Sequence, residues 1–428
     1  MEKIVVRQSN PLTGKVKISG SKNSALPIIA ACLLGTEPIV LEEVPKLKDV
    51  EIILKVLESL GTKIEYIDES VIKIDSSKIN SYITTYDLMS KMRASFLVMG
   101  PLLSRFGKTQ TFLPGGCAIG ARPIDLHLKG FIALGAEIEE NDSVESGRKS
   151  IIASASKGIS GNGIYLDFPS VGATQNIMMA ATLAKGETVI ENAAKEPEIV
   201  DLASFLNKMG ARIMGAGTST IRIKGVKKLG GTNHTIIPDR IEAATFMVGA
   251  AITGGELIIE NMITSHLTPV TAKLREMGCF IKESEEEDRI FISAKDKKLS
   301  ATNIKTLPYP GFPTDVQAQF MTLMTVCNGN SKVVETVFEN RFMHVAELQK
   351  MGALIVTEGK EAIIAGIPKL KGAKVVATDL RAGAALVLAG LIAEGETLVG
   401  DIYHIDRGYH DLVGKLKSLG ANIERIND

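Results

Sequence analysis

Residues 113–125, LPGGCAIGARPID, combine a thiol with an arginine on a glycine-rich segment. Cys117 lies among its three glycines, and Arg122 is followed by Pro123. Proline suits the first position of a helix, so we expect Arg122 to stand beside free backbone N–H groups. A cysteine on an exposed, glycine-rich loop near an arginine is suited to thiol chemistry. The alternative is a surface thiol without a function.

A second candidate is GSKNSALP, residues 20–27, where Lys22 and Asn23 precede an apolar run. Backbone N–H groups at a helix start, together with one lysine, make a cradle for phosphate. The spacing of a Walker loop is absent. The alternative is an ordinary turn, in which Ser21 or Asn23 caps the helix and Lys22 is solvated.

Several arginines occupy equivalent places in separate parts of the chain. Arg122 and Arg407 each lie thirteen residues before the glycine of a recurring Leu-Gly pair, and Arg341 lies eleven before a Met-Gly glycine. Arginine gives phosphate and carboxylate a bidentate grip. The alternative for each is a solvated or structural charge. The cations that together could hold a compact polyanion are Lys22, Arg93, Arg122, Arg341 and Arg407.

Two aspartates lie at expected helix starts. Asp315 follows two prolines in YPGFPTDVQAQF, and ATDLRAGAAL places Asp379 and Arg381 in the same position of a later segment. A carboxylate held near a sugar hydroxyl could accept its proton while the oxygen attacks. The alternative for either aspartate is a helix cap.

A metal site and a disulfide framework are both disfavoured. DIYHIDRGYHD contains His404, Asp406, His410 and Asp411, but its Arg-x-x-His pattern recurs at Arg341, which marks it as a feature of the repeat, and no paired metal-ligand spacing is present. We therefore expect no metal ion. Three cysteines lie in apolar surroundings, where cysteine behaves as a small hydrophobe. They are Cys32, Cys279 and Cys327.

Length and charge set the class of protein. A chain of 428 residues favours two domains, and 49 basic against 49 acidic residues give no net field for nucleic acid or an acidic membrane surface. The apolar runs are shorter than the roughly 20 residues that span a bilayer, and MEKIVVRQSN has no apolar secretory core. We expect a cytoplasmic protein whose partners are small molecules; the oligomeric state stays open.

The elements that position these residues repeat six times. A Leu-Gly or Met-Gly pair followed by a strand-like run recurs at intervals of 68 to 75 residues, from Gly61 to Gly420. Each glycine closes an amphipathic run, which predicts a helix with a left-handed C-terminal cap and then a strand. Nearly all-apolar helices lie upstream and should form the cores. Six β-α-β-α-β-β units divide into three plus three; a solenoid of stacked units is the alternative.

Seven segments together resemble the UDP-N-acetylglucosamine enolpyruvyl transferases of the EPSP synthase / enolpyruvate transferase family, nearly end to end. They are GSKNSALP, PGGCAIGARPIDLH, LDFPSVGATQNIM, PDRIEAATF, PGFPTDVQAQF, ENRFMHVAEL and ATDLRAGAALVLAGL. The resemblance implies an α/β enolpyruvate transferase fold, an inside-out α/β barrel of two similar domains. On it, residues 1–21 and 238–428 form one domain, residues 22–237 form an inserted domain with the Cys117 segment, and the active site lies in the cleft between them.

The resemblance also implies the reaction. Phosphoenolpyruvate and UDP-N-acetylglucosamine give the enolpyruvyl ether and phosphate, the committed step of peptidoglycan precursor synthesis, without a cofactor. Cys117 would protonate the methylene carbon and Asp315 would take the proton of the 3-hydroxyl, while Asp379, Lys22 and Arg407 would stabilise the intermediate. The positions that match substrate contacts are Lys22, Asn23, Arg93, Arg122, Pro123, Ile124, Asp125, Leu126, Ser170, Val171, Gly172, Asp315, Val337, Arg341, Arg381 and Arg407.

One departure and two rival functions accompany the resemblance. Phe168 stands where some relatives place a lysine near the nucleotide phosphates, so backbone N–H groups would bind the diphosphate there. The related 5-enolpyruvylshikimate-3-phosphate synthases share the fold and the phosphoenolpyruvate chemistry, and the Cys117 segment argues against them. A non-catalytic protein that senses nucleotide sugars is the third possibility.

Overall fold

The computed structural model describes residues 2–113, 124–143 and 148–427. The strands in chain order are β1 (Glu2–Arg7), β2 (Thr13–Lys17), β3 (Ile39–Glu42), β4 (Lys63–Asp68), β5 (Val71–Asp75), β6 (Lys108–Phe112), β7 (Glu137–Ser143), β8 (Arg148–Ser154), β9 (Gly163–Tyr165), β10 (Glu187–Glu191), β11 (Ile213–Met214), β12 (Thr220–Lys224), β13 (Asn233–Thr235), β14 (Glu256–Glu260), β15 (Phe280–Ser284), β16 (Arg289–Ser293), β17 (Ile304–Lys305), β18 (Asn330–Val334), β19 (Leu354–Glu358), β20 (Glu361–Ala365), β21 (Lys374–Val376), β22 (Glu396–Gly400) and β23 (Ile423–Asn427).

The α-helices are α1 (Lys22–Ala31), α2 (Lys48–Ser59), α3 (Tyr86–Met89), α4 (Met99–Phe106), α5 (Asp125–Ala133), α6 (Val171–Ala181), α7 (Pro197–Lys208), α8 (Arg240–Thr253), α9 (Thr268–Met277), α10 (Gln317–Met324), α11 (His344–Lys350), α12 (Leu380–Ile392), α13 (Tyr403–Asp406) and α14 (Leu412–Ser418). Short 3-10 helices cover Cys32–Leu34, Arg93–Val98, Thr264–Leu267 and Thr314–Val316. No helix in the described ranges is long and apolar enough to cross a membrane.

The chain divides into two compact units. The split unit comprises residues 2–19 and 238–427, and the continuous unit comprises the described residues between 20 and 237. Each unit has its own apolar core, which is formed by nearly all-buried helices. The central helices are α1 and α6 in the continuous unit, and α8, α10 and α12 in the split unit. Apolar residues are spread around these helices rather than confined to one face, which is why they lie inside and the sheets lie outside.

The recurring glycines end the amphipathic helices as the sequence predicts. All six have positive φ, between 90° at Gly352 and 113° at Gly278, and a strand begins two or three residues later. At Gly135 and Gly210 nothing lies within 4 Å of the position that a Cβ would take. The left-handed backbone, rather than a lack of space, therefore requires glycine at those two positions.

The described part of the continuous unit contains three sheets, with strand orders β13-β3-β5-β4, β6-β8-β7 and β11-β12-β10-β9. The split unit likewise shows three, ordered β15-β16-β14-β2, β17-β18-β20-β19 and β21-β22-β1-β23. In three of these six sheets a strand and the strand after the next buried helix are parallel, as β9 and β10 are around α6. In five repeats the last two strands pair antiparallel, and in the sixth β23 pairs antiparallel with the N-terminal strand β1. The expected β-α-β-α-β-β repeat, three to a unit, is confirmed.

Two of the parallel partners come from an unexpected part of the chain. β2 precedes α1 in sequence, yet it pairs with β14 in the split unit. β13 precedes α8, yet it pairs with β3 in the continuous unit. Each of these two strands lies next to a crossing between the units, and each pairs within its own unit with a strand that is distant in sequence.

Candidate active site

Lys22 is the first residue of α1, and it is buried. The preceding Ser21 has an extended backbone, with φ −67° and ψ 122°, and its hydroxyl makes no capping hydrogen bond. Lys22 Nζ lies 2.7 Å from Oδ2 of Asp49, a residue that is 1% exposed in the first turn of α2. The alternative of a solvated lysine behind an ordinary cap is therefore wrong. Sequence reasoning missed Asp49, which carries no motif of its own.

A second buried contact fixes the same turn of α1. The Ser24 hydroxyl donates to Asp201 Oδ2, and Oδ1 of that carboxylate lies 2.8 Å from His234 Nε2. His234 Nδ1 lies 3.3 Å from Lys208 Nζ. Because the Lys208 ammonium can only donate, Nδ1 accepts and Nε2 donates to Asp201. The network anchors the turn that carries Lys22 and the half-buried Asn23.

The matched nucleotide-sugar segment falls partly within the described residues. Ile124 precedes α5, whose first residue is the exposed Asp125, and Leu126 is half-buried. Cys117, Arg122 and Pro123 lie outside the described residues.

A second part of the matched set lies at the start of α6. Ser170 is its N-cap, and the Ser170 hydroxyl accepts a hydrogen bond from the Ala173 amide at 3.3 Å. Val171 and Gly172 form the first turn, where backbone N–H groups have no partner inside the helix. A Cβ on Gly172 would lie 3.3 Å from Nε2 of His127. Glycine therefore leaves this edge of the imidazole uncovered.

His127 has a defined tautomer. Asn176 Oδ1 accepts from the Gly100 amide at 2.8 Å, so the Asn176 nitrogen Nδ2, 3.1 Å from His127 Nδ1, is the donor to the ring. The ring proton is then on Nε2, on the side of Gly172. Burial and the positive charge of Arg93 lower the pKa of His127 to about 3, so the ring is neutral. His127 was not among the predicted substrate contacts, which end at the preceding residue, Leu126.

In the split unit, Asp315 is held by two arginines. Arg341 Nη2 donates to Asp315 Oδ1 at 2.9 Å, and Arg381 Nη2 lies 3.5 Å from Oδ2. The two arginine side chains are 3% and 2% exposed, while that of Asp315 is 29% exposed. The structure thus brings three matched residues together. It also shows the Asp315 carboxylate paired with guanidinium groups, where a cap had been the alternative.

The two guanidinium groups have unused donors. Nε and Nη1 of Arg381, and Nε of Arg341, are buried and find no hydrogen-bond partner among the described residues. Burial lowers the pKa of Arg381, but Tyr409, Asp315 and Asp239 outweigh it, and the pKa is raised. A buried guanidinium with free N–H groups is suited to an anionic ligand.

Asp379 does serve as a helix cap. Its Oδ1 accepts from the backbone amides of Arg381 at 2.8 Å and Ala382 at 3.1 Å, at the start of α12. His344 is the fully buried first residue of α11, and the negative charge of Asp379 acts on its ring. Burial lowers the pKa of His344 to about 4, although Asp379 opposes the shift. Asp379 and Asp315 both lie at helix starts, as the sequence predicts; the Asp379 carboxylate binds backbone amides, and the Asp315 carboxylate pairs with two arginines.

Two more matched positions have ordinary local contacts. The Val337 amide donates to Oε1 of the buried Glu335 at 2.8 Å. Arg407 ends the short helix α13, where burial first and then the charge of Arg407 lower the pKa of His404.

The acids of the His404 segment are engaged elsewhere. Asp406 Oδ2 lies 2.6 Å from Arg425 Nη2, and the Asp411 carboxylate caps α14 through the Gly414 amide at 3.1 Å. Throughout the described ranges, no three histidine, cysteine or acidic side chains are grouped as they would be to hold a metal ion.

The apolar cysteines match their predicted role. Cys32, Cys279 and Cys327 are buried. Burial raises the pKa of Cys279 and of Cys327 to about 12, and it also raises the pKa of Cys32. These thiols are protonated and behave as small hydrophobes.

The sequence profile of EPSP synthase (3-phosphoshikimate 1-carboxyvinyltransferase) matches residues 6–416. The chain belongs to this family. A relative from Finegoldia magna named UDP-N-acetylglucosamine 1-carboxyvinyltransferase is 70% identical over 426 residues, which cover 100% of this chain and 99% of the relative. Relatives with the same enzyme name from Carboxydothermus hydrogenoformans and Staphylococcus aureus are 59% and 55% identical, with 100% of both chains covered in each case.

Solved structures of the family share the fold. The crystal structure of the enolpyruvyl transferase NikO from Streptomyces tendae has a TM-score of 0.89 at 23% identity, covering 100% of this chain and 99% of that chain. EPSP synthase from Acinetobacter baumannii has a TM-score of 0.76 at 19% identity, with both chains fully covered. At these identities the likeness establishes the enolpyruvate transferase fold alone, and the predicted fold class is confirmed.

Proposed function

We propose that the chain is a UDP-N-acetylglucosamine 1-carboxyvinyltransferase. It transfers the enolpyruvyl group of phosphoenolpyruvate to the 3-hydroxyl of UDP-N-acetylglucosamine and releases phosphate. The observation that carries this proposal is the 70% identity, over the full length, to an enzyme of that name. The reaction is the first committed step of peptidoglycan precursor synthesis. Because both substrates are cytoplasmic small molecules, we place the enzyme in the cytoplasm.

Asp315 is the base in this proposal. Two positive guanidinium groups, one at 2.9 Å and one at 3.5 Å, stabilise its charged form, which is the form that can accept a proton. Its side chain keeps 29% exposure, so a hydroxyl can approach. Proton transfer from the 3-hydroxyl to Asp315 leaves the sugar oxygen free to bond to the central carbon of phosphoenolpyruvate.

Cationic side chains bind the phosphate and the carboxylate of phosphoenolpyruvate. The buried, unpartnered N–H groups of Arg341 and Arg381 support this role, because an anion would supply the hydrogen bonds that those groups lack. Lys22 is held in a fixed position by Asp49, at the start of a helix of ten residues. Its ammonium and the first amides of α1 favour phosphate. Asn23, Arg122 and Arg407 complete the proposed set.

The nucleotide sugar is held by the matched positions that include the start of α6. Phe168 is 45% exposed and offers no charge there. The first backbone amides of α6 supply the donors for the diphosphate instead. The other proposed contacts are Arg93, Arg122, Pro123, Ile124, Asp125, Leu126, Ser170, Val171, Gly172 and Val337.

The remaining steps need an acid and fixed charges. Cys117 donates its proton to the methylene carbon as the new carbon–oxygen bond forms, which gives a tetrahedral intermediate. Loss of phosphate together with one methyl proton then restores the double bond. Asp379, whose carboxylate is held by two amides, stabilises the positive character of the central carbon, and Lys22 and Arg407 stabilise the departing phosphate.

Phosphate release separates the candidate functions. The purified protein would be given phosphoenolpyruvate with UDP-N-acetylglucosamine and, in parallel, with shikimate 3-phosphate. We expect release with the nucleotide sugar alone. Release only with shikimate 3-phosphate would assign the chain to the other branch of its family. Tight binding of the nucleotide sugar without any release would indicate a sensing protein.

A further inference from the structure

A buried polar network lies beside Asp315 and involves residues that the proposed reaction does not use. Thr245 is on α8, Gln319 is on α10, and Tyr409 follows α13. All three are at most 3% exposed. A buried polar group that lacks a partner is costly, so a network placed here fixes the positions of its members.

Two hydrogen bonds of this network have a fixed direction. The Thr245 hydroxyl donates to the Ile241 carbonyl at 2.8 Å, so Tyr409 must be the donor in the 2.9 Å contact between the two hydroxyls. Gln319 Nε2 lies 3.1 Å from the Asp315 carbonyl, which only accepts. That contact sets the orientation of the amide. The same nitrogen lies 3.1 Å from Thr245 Oγ1 and 3.2 Å from the Tyr409 hydroxyl.

Tyr409 reaches Asp315 by two routes. The guanidinium carbon of Arg381 lies over the tyrosine ring, 5.3 Å from its centroid. Arg381 in turn faces Asp315 Oδ2. The second route runs from the hydroxyl through Gln319 to the Asp315 carbonyl. One route touches the side chain of Asp315 and the other touches its backbone.

We infer that Tyr409 is a positioning residue for the transfer, because its ring supports Arg381 and its hydroxyl orients Gln319, and through these two residues it holds Asp315 in place. This inference rests on the proposed function. A base must come within hydrogen-bonding distance of the proton that it removes, so a small displacement slows the proton transfer. Tyr409 has no contact with substrate in this scheme, so substrate binding should be almost unaffected by the loss of its hydroxyl.

The test is a pair of variants that each remove one hydroxyl from the network. Tyr409→Phe keeps the ring over Arg381, and Thr245→Val removes the acceptor of the tyrosine proton. We expect kcat to fall about tenfold in each, the effect of about one hydrogen bond, with both KM values within about twofold of wild type. Because the two changes disrupt one network, the double variant should also lose about tenfold rather than a hundredfold.

Two further variants separate positioning from general damage. Thr245→Ser keeps the hydroxyl and should restore a kcat close to that of wild type. Thr397→Val removes a hydroxyl that is equally buried in the split unit but finds no hydrogen-bond partner among the described residues, and it should leave kcat unchanged. Unchanged kcat in Tyr409→Phe, or additive losses in the double variant, would overturn the inference. An inactive wild-type enzyme would instead overturn the proposed function.

Discussion

The ion pair between Lys22 and Asp49 permits a matched test, because α2 carries a second carboxylate in the same turn. Asp49 is in contact with Lys22 at 2.7 Å, with side chains that are 9% and 2% exposed. Glu51 is in contact with Lys48 at 3.1 Å, and those side chains are 47% and 50% exposed. Asp49→Asn and Glu51→Gln make the same chemical change, from a carboxylate to an amide.

The expected destabilisations differ in size because the burial of the two pairs differs. Both changes remove a negative charge from the first turn of α2, which costs about 0.5 kcal/mol in each case. Asp49→Asn also removes a negative charge that lies 2.7 Å from a buried ammonium, and breaking a buried pair in this way typically costs about 3 to 5 kcal/mol. The exposed pair contributes at most about 1 kcal/mol. The two variants should therefore differ in free energy of unfolding by about 3 kcal/mol.

Urea unfolding of both variants measures this difference. The chain has no tryptophan, so the transition is followed by far-ultraviolet circular dichroism. With a slope of about 2.5 kcal/mol per molar urea, the midpoint of Asp49→Asn should lie about 1 M below that of Glu51→Gln. Equal midpoints for the two variants would refute the reasoning, because they would show that the Lys22 ammonium does not depend on the charge of Asp49.

Three further changes test other parts of the molecule. Cys117→Ser should slow phosphate release by a hundredfold or more, roughly the contribution of a general acid, because a hydroxyl is a much weaker acid than a thiol. Arg341→Lys removes the planar group that holds Asp315 Oδ1, and it should lower kcat about tenfold. His344→Gln should change the pH dependence of stability. Burial lowers the pKa of His344 from 6.5 to about 4, so the stability conferred by the neutral ring is complete above pH 6.5 and is lost as the pH falls towards 4. Between pH 6.5 and 4 the free energy of unfolding of the variant should fall less steeply than that of the wild type, by about 1.4 kcal/mol per pH unit.

For each of these three predictions, one result would contradict it. Full activity of the serine variant would remove Cys117 from its role as the acid. An Arg341→Lys enzyme with wild-type kcat would show that one guanidinium suffices for Asp315. Parallel stability curves for wild type and His344→Gln, measured by urea unfolding across this pH range, would mean that the buried ring takes up no proton when the chain unfolds.

Local patterns in the sequence predicted the features that local chemistry decides. A glycine after an amphipathic run predicts a left-handed helix end, and all six such ends are present. Apolar surroundings predicted that Cys32, Cys279 and Cys327 are buried. The capping role of Asp379 follows from the same kind of local pattern, since the hydrogen bonds join residues two and three positions apart.

Long-range partners had no local signal. Asp49 and Lys22 are in contact because two helices meet, and Asp49 by itself is an ordinary first-turn acid. In the sequence, Tyr409 is only one residue of a short polar segment. Its partners lie on three helices that are distant in sequence. The partners of β2 and β13 could not be predicted either. The sequence of a strand indicates that it will pair with another strand. Which strand becomes its partner depends on the path of the whole chain.

The pairing of β1 has a consequence for synthesis on the ribosome. This strand joins β22 and β23, and its residue Arg7 is 389 positions before its partner Glu396, from 396 minus 7. At about 5 to 20 residues per second, roughly 20 to 80 seconds pass between their translation. During that time the apolar residues Ile4, Val5 and Val6 have no native partner, whereas the continuous unit can already fold. For most of its synthesis the nascent chain therefore carries an unpaired apolar strand that could pair with other chains. The charges of Lys3 and Arg7, which flank its apolar residues, disfavour such pairing.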